Sequence, residues 1–360
     1  MLKFAMNQKK YRNNIRLWMA VFFAATLHIN CQEKVANFVC PPCDAQCDTL
    51  TFEEDGVCPH CKLNLIMNVN ESMVNEVAIN EGSGNFIIAG GQHHTEKIIR
   101  VFYHRPGTLD ATSKVLLVLP GAGRNGNDYR DAWVAHAEKY NVVVISPEYS
   151  EKHYPQFWNY NLAGMITDVV INKERTAMTA FKLRKNPNEW LYNDFDRMFD
   201  LVKKALHLNT ATYDMFGHSA GGQLLHRFAL FKSDSKANRI LASNAGWYTV
   251  PDASEEFPVG LKNSNKAVAQ IDFSTNLILF LGEKDDANET RGDLRRSPEV
   301  DKQGLYRVAR GNYFYQTSKR TANELEKEFN WKLEIVPNVG HDFGEMSKAA
   351  AAYLYDLPKE

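Results

Sequence analysis

The chain has 360 residues, of which 44% are hydrophobic and 24% are charged. This is an ordinary globular composition with room for about two domains, and it excludes a mainly disordered or collagen-like chain. Lysine and arginine together number 42, against 43 aspartates and glutamates. The balance argues against a nucleic-acid-binding protein, which would carry an excess of basic residues.

The first 30 residues have the pattern of an export signal. Five basic residues and no acidic one precede an apolar run from Leu17 to Ile29. A basic segment followed by a short apolar core is typical of export signals, and this run is short for a membrane span. An uncleaved signal anchor is the alternative. We therefore expect an exported protein, either secreted or in a bacterial cell envelope, facing the periplasm.

Cys31 directly follows the apolar run. Its position resembles that of the lipidated cysteine of bacterial lipoproteins, although Leu27 lies four residues before it and Asn30 stands where a small residue is usual. Lipidation of Cys31 would attach the protein to a membrane. Cleavage nearby by ordinary signal peptidase, with Cys31 as a spare thiol, is equally compatible with the sequence.

Residues 38–68 form a cysteine-rich module. It contains two Cys-Pro-x-Cys pairs, Cys40–Cys43 and Cys58–Cys61. Each pair places two thiolates on one tight turn, so the two pairs supply four soft ligands for a tetrahedral zinc ion. So short a module has little core of its own, and metal binding would provide much of its folding free energy. Four cysteine ligands leave no open position, which predicts a structural zinc.

Disulfide formation is the alternative for this module, because an exported protein meets oxidants. A disulfide within one pair closes a very small loop and stabilises little, which favours metal. Cys47 and His60 are further donors, and either could replace a ligand. The second half of the module resembles the short heavy-metal-binding domain of bacterial envelope proteins, with the signature GxCPxCGMxL. Here Lys62 and Leu63 replace its glycine and methionine.

A polar stretch over residues 69–84 predicts a linker into a larger domain that spans residues 85–360. Apolar runs rich in β-forming residues alternate in that domain with segments of helical periodicity, such as the one between Trp190 and Leu206. The predicted strands cover residues 98–104, 114–120, 141–147, 212–217, 239–243, 276–282 and 332–336. Several are apolar on both faces, as in parallel strands covered by helices. The pattern predicts an α/β fold with a mostly parallel sheet flanked by helices.

The strand over residues 212–217 runs directly into the sequence GHSAG and then into an amphipathic helical segment. A G-x-S-x-G sequence between a strand and a helix is a nucleophile elbow. Ser219 must adopt a strained backbone conformation there, so the residues two positions away must be small. We predict that Ser219 is the nucleophile, and we interpret the adjacent His218 as a packing residue.

A serine nucleophile needs a base that is oriented by an acid. In this fold the chain order is serine, acid, histidine. Asp285 follows the strand over residues 276–282 and is the predicted acid, with Glu283 and Asp286 as alternatives. His341 lies after the last strand and is the predicted base.

An oxyanion hole needs two backbone N–H groups. Ala220, the residue after the nucleophile, is expected to supply one of them. The glycine-rich loop after the strand over residues 114–120 is expected to supply the other, from Ala122 or, as the alternative, from Gly123.

Two other strands are followed by aromatic residues that could form the walls of a substrate pocket. The predicted substrate-binding residues are Trp158, Tyr160, Trp247 and Tyr248. Ordinary loop packing is the alternative for each of them. The segment over residues 165–190 carries several basic residues, which favours a solvated surface over a mobile cap.

From about residue 85 onward the chain resembles the α/β-hydrolases. Its LPGAGRNGNDY loop, GHSAGG elbow, GEKDD loop and GHDF ending are similar to the polyhydroxybutyrate-depolymerase-like and feruloyl-esterase-like branch. Pro120 stands where that branch commonly has histidine. The resemblance implies hydrolysis of a small-molecule or polymeric ester through a Ser–His–Asp triad and an acyl-enzyme, with no cofactor for catalysis. A serine peptidase or amidase is one alternative, and an envelope metal-binding protein with a non-catalytic hydrolase domain is another.

Overall fold

The computed structural model describes residues 38–40, 46–54, 56–63, 65–67, 77–91, 94, 97–173 and 178–356. The predicted export signal, Cys31 and Cys43 lie outside the described residues. Internal contacts divide the chain into two units, Met1–Asn68 and Val69–Glu360. Within the described residues, no helix combines the length and the apolar character that a membrane span requires.

The first unit contains a small antiparallel sheet of three strands. They are β1 (Phe38–Val39), β2 (Thr51–Phe52) and β3 (Ile66–Met67), in the order β2-β1-β3. The buried cluster of this unit consists of cysteine side chains, with a few partly buried apolar neighbours. Cysteines therefore occupy the interior position that apolar side chains occupy in a larger domain.

The second unit is built on an eight-stranded sheet with one separate hairpin. In chain order its strands are β4 (Gly82–Ala89), β5 (Ile98–Arg105), β6 (Lys114–Leu119), β7 (Val142–Glu148), β8 (Ile166–Ile171), β9 (Met178–Leu183), β10 (Tyr213–His218), β11 (Ala237–Ser243), β12 (Leu277–Gly282) and β13 (Lys332–Val336). The large sheet has the order β13-β12-β11-β10-β6-β7-β5-β4. Strand β5 is antiparallel to both of its neighbours, and all other pairs are parallel. The predicted mostly parallel sheet is confirmed.

Helices cover both faces of this sheet. They are α1 (Gly126–Asp131), α2 (Val134–Tyr140), α3 (Tyr192–Ala205), α4 (Ala220–Phe231), α5 (Pro298–Asp301), α6 (Arg307–Glu324) and α7 (Phe343–Tyr355). Successive side chains of a strand point to opposite faces. In β6, Leu117 accordingly packs in one apolar cluster with side chains of α3 and α4, whereas Leu116 packs in a second cluster with side chains of α2 and α7.

Two elements differ from the sequence-based expectation. Strand β4 begins at Gly82, inside the predicted linker. The segment over residues 165–190 is not merely a solvated basic surface, because β8 and β9 pair there as an antiparallel hairpin. The burial of β8 alternates along the strand, and Val169 and Phe181 pack against the core. β-Branched residues favour half-buried strands, and β8 contains several of them. The segment therefore forms a strand, although its basic residues suggested a solvated surface.

Candidate active site

The candidate nucleophile lies where β10 passes into α4. Ser219 has φ 58° and ψ −112°, a backbone conformation that is unusual for a residue other than glycine. The flanking glycines leave room for this turn. A Cβ atom on Gly217 would lie 2.5 Å from the carbonyl oxygen of Gly221, and one on Gly221 would overlap the carbonyl group of Leu119. The small residues expected on both sides of Ser219 are therefore required by backbone packing.

The structure brings the predicted nucleophile, base and acid together. The Oγ atom of Ser219 lies 3.1 Å from Nε2 of His341, and Nδ1 of His341 lies 2.7 Å from Oδ2 of Asp285. Both His341 and Asp285 are buried. When Nδ1–H donates to the carboxylate, Nε2 can accept the hydroxyl proton of serine, which is the arrangement that general-base activation needs. The alternative acids accept hydrogen bonds from other residues: Glu283 accepts from the N–H of Asn338 and Asp286 from that of Asn288.

Asp285 is held by two further side chains. Asn244 donates from Nδ2 to Oδ2 of Asp285 at 2.7 Å, and Arg307 donates from Nη1 to Oδ1 at 3.1 Å. Arg307 is almost fully buried and also donates to the carbonyl oxygens of Gly292 and Asp293. One guanidinium group thus connects the acid to the loop that borders the site. These charge-assisted bonds fix the orientation of the carboxylate.

The backbone of His341 has its own partner. Its N–H donates to Oε2 of Glu289 at 2.6 Å, and Glu289 is paired with Arg291. These hydrogen bonds hold the pKa of the Glu289 carboxyl well below its usual range, with the bond from Arg291 as the largest cause. An ionised carboxylate therefore anchors the loop that carries the base.

The oxyanion-hole candidates lie beside the nucleophile. Ala122, Ser219 and Ala220 line one cleft of about 620 Å³. Among the described residues, the N–H of Ala122 has no backbone acceptor, and it can therefore bind a substrate oxygen. Tyr160 donates its hydroxyl to the carbonyl oxygen of Pro120 at 2.7 Å. Arg124 donates to backbone carbonyls beyond β7, including that of Tyr149 at 2.8 Å. These bonds hold the glycine-rich loop after β6, the candidate oxyanion loop, in place.

The comparisons with known proteins agree with this geometry. No model of a known protein family matches the sequence, and no curated protein matches it. Among solved structures, poly(aspartic acid) hydrolase-1 from Sphingomonas sp. KT-1 is 34% identical, over 76% of this chain and 98% of that one, with a TM-score of 0.66. LpqC, a poly(3-hydroxybutyrate) depolymerase from Bordetella parapertussis, is 26% identical over 78% of this chain and 92% of that one, with a TM-score of 0.68. This chain belongs to the α/β-hydrolases. It is a serine hydrolase of the polyhydroxybutyrate-depolymerase-like branch, which confirms the family that the motifs indicated.

The predicted substrate-binding residues of the hydrolase occupy different positions. Trp247 lines the cleft, and Phe157 does so in place of its predicted neighbour Trp158. Tyr160 lies under the oxyanion loop, and Tyr248 is fully buried. The aromatic segments are evident in the sequence, but only the fold determines which ring lines the cleft and which packs behind it.

His218 packs beside His341, the predicted base of the hydrolase. Its ring centroid lies 4.5 Å from that of His341, and its Nδ1 lies 3.2 Å from the hydroxyl of Tyr129. Burial, reinforced by the nearby His341 and two arginines, lowers the pKa of His218 well below its ordinary value. A neutral ring therefore packs against His341 without competing for its proton.

Three residues of this site were missed by the sequence analysis. Asn244 follows β11, the strand between those that carry the nucleophile and the acid, so its place in the strand order could have indicated it. Arg307 begins α6, and Arg124 has a left-handed φ of 54° in the oxyanion loop. No motif distinguishes either arginine from a surface residue.

The cysteine module of the hydrolase brings four cysteines together. The sulfur atoms of Cys40, Cys47, Cys58 and Cys61 all lie within 4.8 Å of one another. The Sγ atoms of Cys40 and Cys61 are 3.1 Å apart, and those of Cys40 and Cys47 are 3.7 Å apart. Both distances are too long for a disulfide bond, whose S–S length is about 2.05 Å. Tetrahedral zinc with bonds of about 2.3 Å would separate its sulfurs by about 3.8 Å, so the donor set fits this ion. Cys47, expected only as a further donor, is thus a member of the cluster.

Proposed function

We propose that the protein is an exported serine hydrolase that cleaves carboxylic esters through an acyl-enzyme. The observation that carries this proposal is the hydrogen-bonded series Ser219–His341–Asp285, which opens onto the cleft lined by Ala122 and Ala220. The names of both solved relatives refer to polymers, so we extend the proposal to a polymeric ester as substrate.

In the first half of the reaction, Nε2 of His341 removes the hydroxyl proton as Ser219 attacks the ester carbonyl carbon. The N–H groups of Ala122 and Ala220 donate to the oxyanion that forms. His341 then gives its proton to the departing alkoxide, and the alcohol leaves. Asp285 stabilises the imidazolium, while Asn244 and Arg307 hold the orientation of its carboxylate.

In the second half, His341 removes a proton from water, and the resulting hydroxide attacks the acyl-enzyme. The same two N–H groups stabilise the second oxyanion. Collapse of this intermediate releases the acid and returns the proton from His341 to Ser219. All the groups required belong to the protein, so catalysis needs no cofactor.

A fluorophosphonate probe tests the nucleophile. We expect covalent labelling of the wild type, no labelling of Ser219→Ala, and normal labelling of the control Ser254→Ala, which changes an exposed turn serine. Equal labelling of wild type and Ser219→Ala would refute the proposal. So would a wild-type protein that the probe does not label.

Amide hydrolysis is the second candidate, and the similarity to poly(aspartic acid) hydrolase-1 favours it. Poly(aspartic acid) is joined by amide bonds, and the same triad can attack an amide carbonyl. The two candidates separate when 4-nitrophenyl butyrate is compared with the 4-nitroanilide of butyric acid. We expect turnover of the ester; a higher kcat/KM on the anilide would establish an amidase.

We propose a structural role for the cysteine module. Cys40, Cys47, Cys58 and Cys61 would hold one zinc ion, whose bonds supply folding free energy and leave no position for catalysis. Metal analysis of purified protein should give about one zinc per chain. Full hydrolase activity after deletion of residues 31–68 would make the module an accessory. A chain that binds metal but hydrolyses no ester or amide would instead favour the envelope metal-binding protein.

Export and attachment complete the proposal. We propose that residues 1–30 are removed and that the mature protein is secreted or held in the bacterial envelope by a lipidated Cys31. Mass spectrometry of the mature amino terminus tests both points. A diacylglycerol on Cys31 would establish attachment, whereas an unmodified terminus at another residue would leave a secreted or periplasmic protein.

A further inference from the structure

One wall of the cleft carries two arginines on a single aromatic ring. The guanidinium carbon of Arg227 lies 4.2 Å from the ring centroid of Trp247, and that of Arg295 lies 5.1 Å from the same centroid. Trp247 and Arg295 line the cleft together with Ser219. One cation, Arg295, therefore lines the cleft that holds Ser219, and a second, Arg227, contacts the same tryptophan ring.

Arg227 is a buried cation without an acidic partner in the part of the chain that the structure describes. Its Nε donates to Oγ1 of Thr249, and its Nη1 donates to the carbonyl oxygens of Asn161 and Gln223. Its Nη2 has no acceptor among the described residues. Burial lowers the pKa of Arg227 to about 9, and the nearby positive charge of Arg295 contributes to this shift. Neutral dipoles alone balance this charge, so Arg227 contributes a positive potential at Trp247.

Arg295 is half-buried, and no ion pair links it to a described carboxylate. Burial lowers its pKa, against the weaker opposite effect of Glu299. Other arginines of this region have carboxylate partners: Arg296 pairs with Asp301 at 2.9 Å and Arg307 with Asp285 at 3.1 Å. Arg295 is thus the cleft arginine whose guanidinium group is available to a ligand.

Resting on the hydrolase activity proposed above, we infer that the cleft selects substrates that carry a carboxylate near the scissile carbonyl. Arg295 forms the ion pair with that carboxylate, and Arg227 adds positive potential from its contact with Trp247. Contact with the ring restricts the guanidinium group of Arg295, so less conformational entropy is lost when the carboxylate binds. A neutral polyester would form no ion pair with Arg295.

A matched pair of esters tests the inference. 4-Nitrophenyl hydrogen adipate carries a carboxylate at neutral pH, and 4-nitrophenyl methyl adipate has the same chain without the charge. We expect a kcat/KM about 10- to 100-fold higher for the anionic ester, the range of a charge-assisted bond in a partly buried site. Arg295→Gln should remove this preference and Arg295→Lys should retain part of it. The control Arg320→Gln, which removes the same charge from an exposed position on α6, should leave the preference unchanged.

The outcomes separate the inference from the proposed function. If the Ser219-dependent kcat/KM is equal for the two esters, the inference is wrong and the proposed function stands. If neither ester is hydrolysed, the proposed function fails, and calorimetric titration with adipate decides the inference. Binding of adipate that Arg295→Gln weakens about tenfold supports the inference, and absence of binding overturns it. Poly(glutamic acid) and adipate are then compared as competitors for the site, at equal concentrations of carboxylate groups. Stronger competition by the polymer would assign the site to an acidic polymer, and equal competition would assign it to a small acyl group.

Discussion

The substitution Gly221→Ala tests whether the packing of the elbow sets the position of the nucleophile. The new Cβ would lie 2.8 Å from the carbonyl oxygen of Pro120 and closer still to that of Leu119. The first distance alone is about 0.6 Å shorter than the lower limit of an ordinary contact, 3.4 Å. Strand β6 is paired with β7 and β10 on its two sides, so the elbow must move rather than the strand.

The size of the effect follows from this displacement. A misplacement of about 1 Å between reacting groups costs about 100-fold in rate. Because Ser219 lies only two residues from the new methyl group, we expect kcat/KM to fall about 30- to 100-fold, or about 2 to 2.7 kcal/mol. Overpacking should also cost about 1–3 kcal/mol of stability and lower the Tm by several degrees.

The assay is kcat/KM on 4-nitrophenyl butyrate together with the Tm of the same preparation. The matched control is Gly107→Ala, where the nearest atom to the new Cβ is the flexible Oε1 of Glu81 at 3.3 Å. This control should change stability by less than about 0.5 kcal/mol and leave kcat/KM unchanged. Wild-type kcat/KM and Tm in Gly221→Ala would show that the elbow tolerates the overlap and that the reasoning is wrong.

Four further predictions follow from the contacts around the site and in the cysteine module. Asn244→Ala removes a hydrogen bond to the triad acid, and we expect kcat to fall about tenfold with KM nearly unchanged, because the loss acts through His341 and not through substrate contacts. Arg307→Met removes one partner of a buried ion pair, and denaturant unfolding should show a loss of about 3–5 kcal/mol; wild-type stability would contradict this role. Glu289 has a depressed pKa, so its contribution to stability is present above the ordinary glutamate value and is lost as pH falls through the folded value. The Tm difference between wild type and Glu289→Gln should therefore narrow as pH falls below about 4, and a constant difference would exclude this linkage. Cys47→Ser should lower the zinc content of the purified protein, and unchanged zinc would exclude Cys47 as a ligand.

The fold could be predicted because its signals are local. Each predicted strand is a run of apolar β-forming residues, and burial on both faces makes such runs continuous along the sequence. Strand β4 could not be predicted, because Gly82 and its neighbours are small and polar, as in a linker. The hairpin of β8 and β9 could not be predicted either, because its alternation of apolar and polar residues is weak and lies among basic residues.

The site divides along the same lines. Ser219 directly follows β10 and His341 lies in the loop after β13, so motif and chain order indicate them. Arg307 reaches Asp285 from α6, 22 positions further along the chain. Such long-range contacts depend on how α6 packs against the sheet, and no local pattern encodes them. The place of Cys47 is similar, because spacing favours the doubled Cys-Pro-x-Cys pattern, whereas among the described residues the folded module brings Cys47 to the cluster. The predicted ligand Cys43 lies outside the described residues.

The lining of the cleft has a consequence for engineering this enzyme. Phe157, Ile171, Met178 and Trp247 contribute to its walls from three separate segments, and none of them hydrogen-bonds to the triad. A combinatorial library at these four positions can therefore alter substrate preference while the reacting groups keep their geometry. The neighbouring Tyr160 and Tyr248 should be kept, because substitutions there would disturb the packing of the fold rather than the contacts with the substrate.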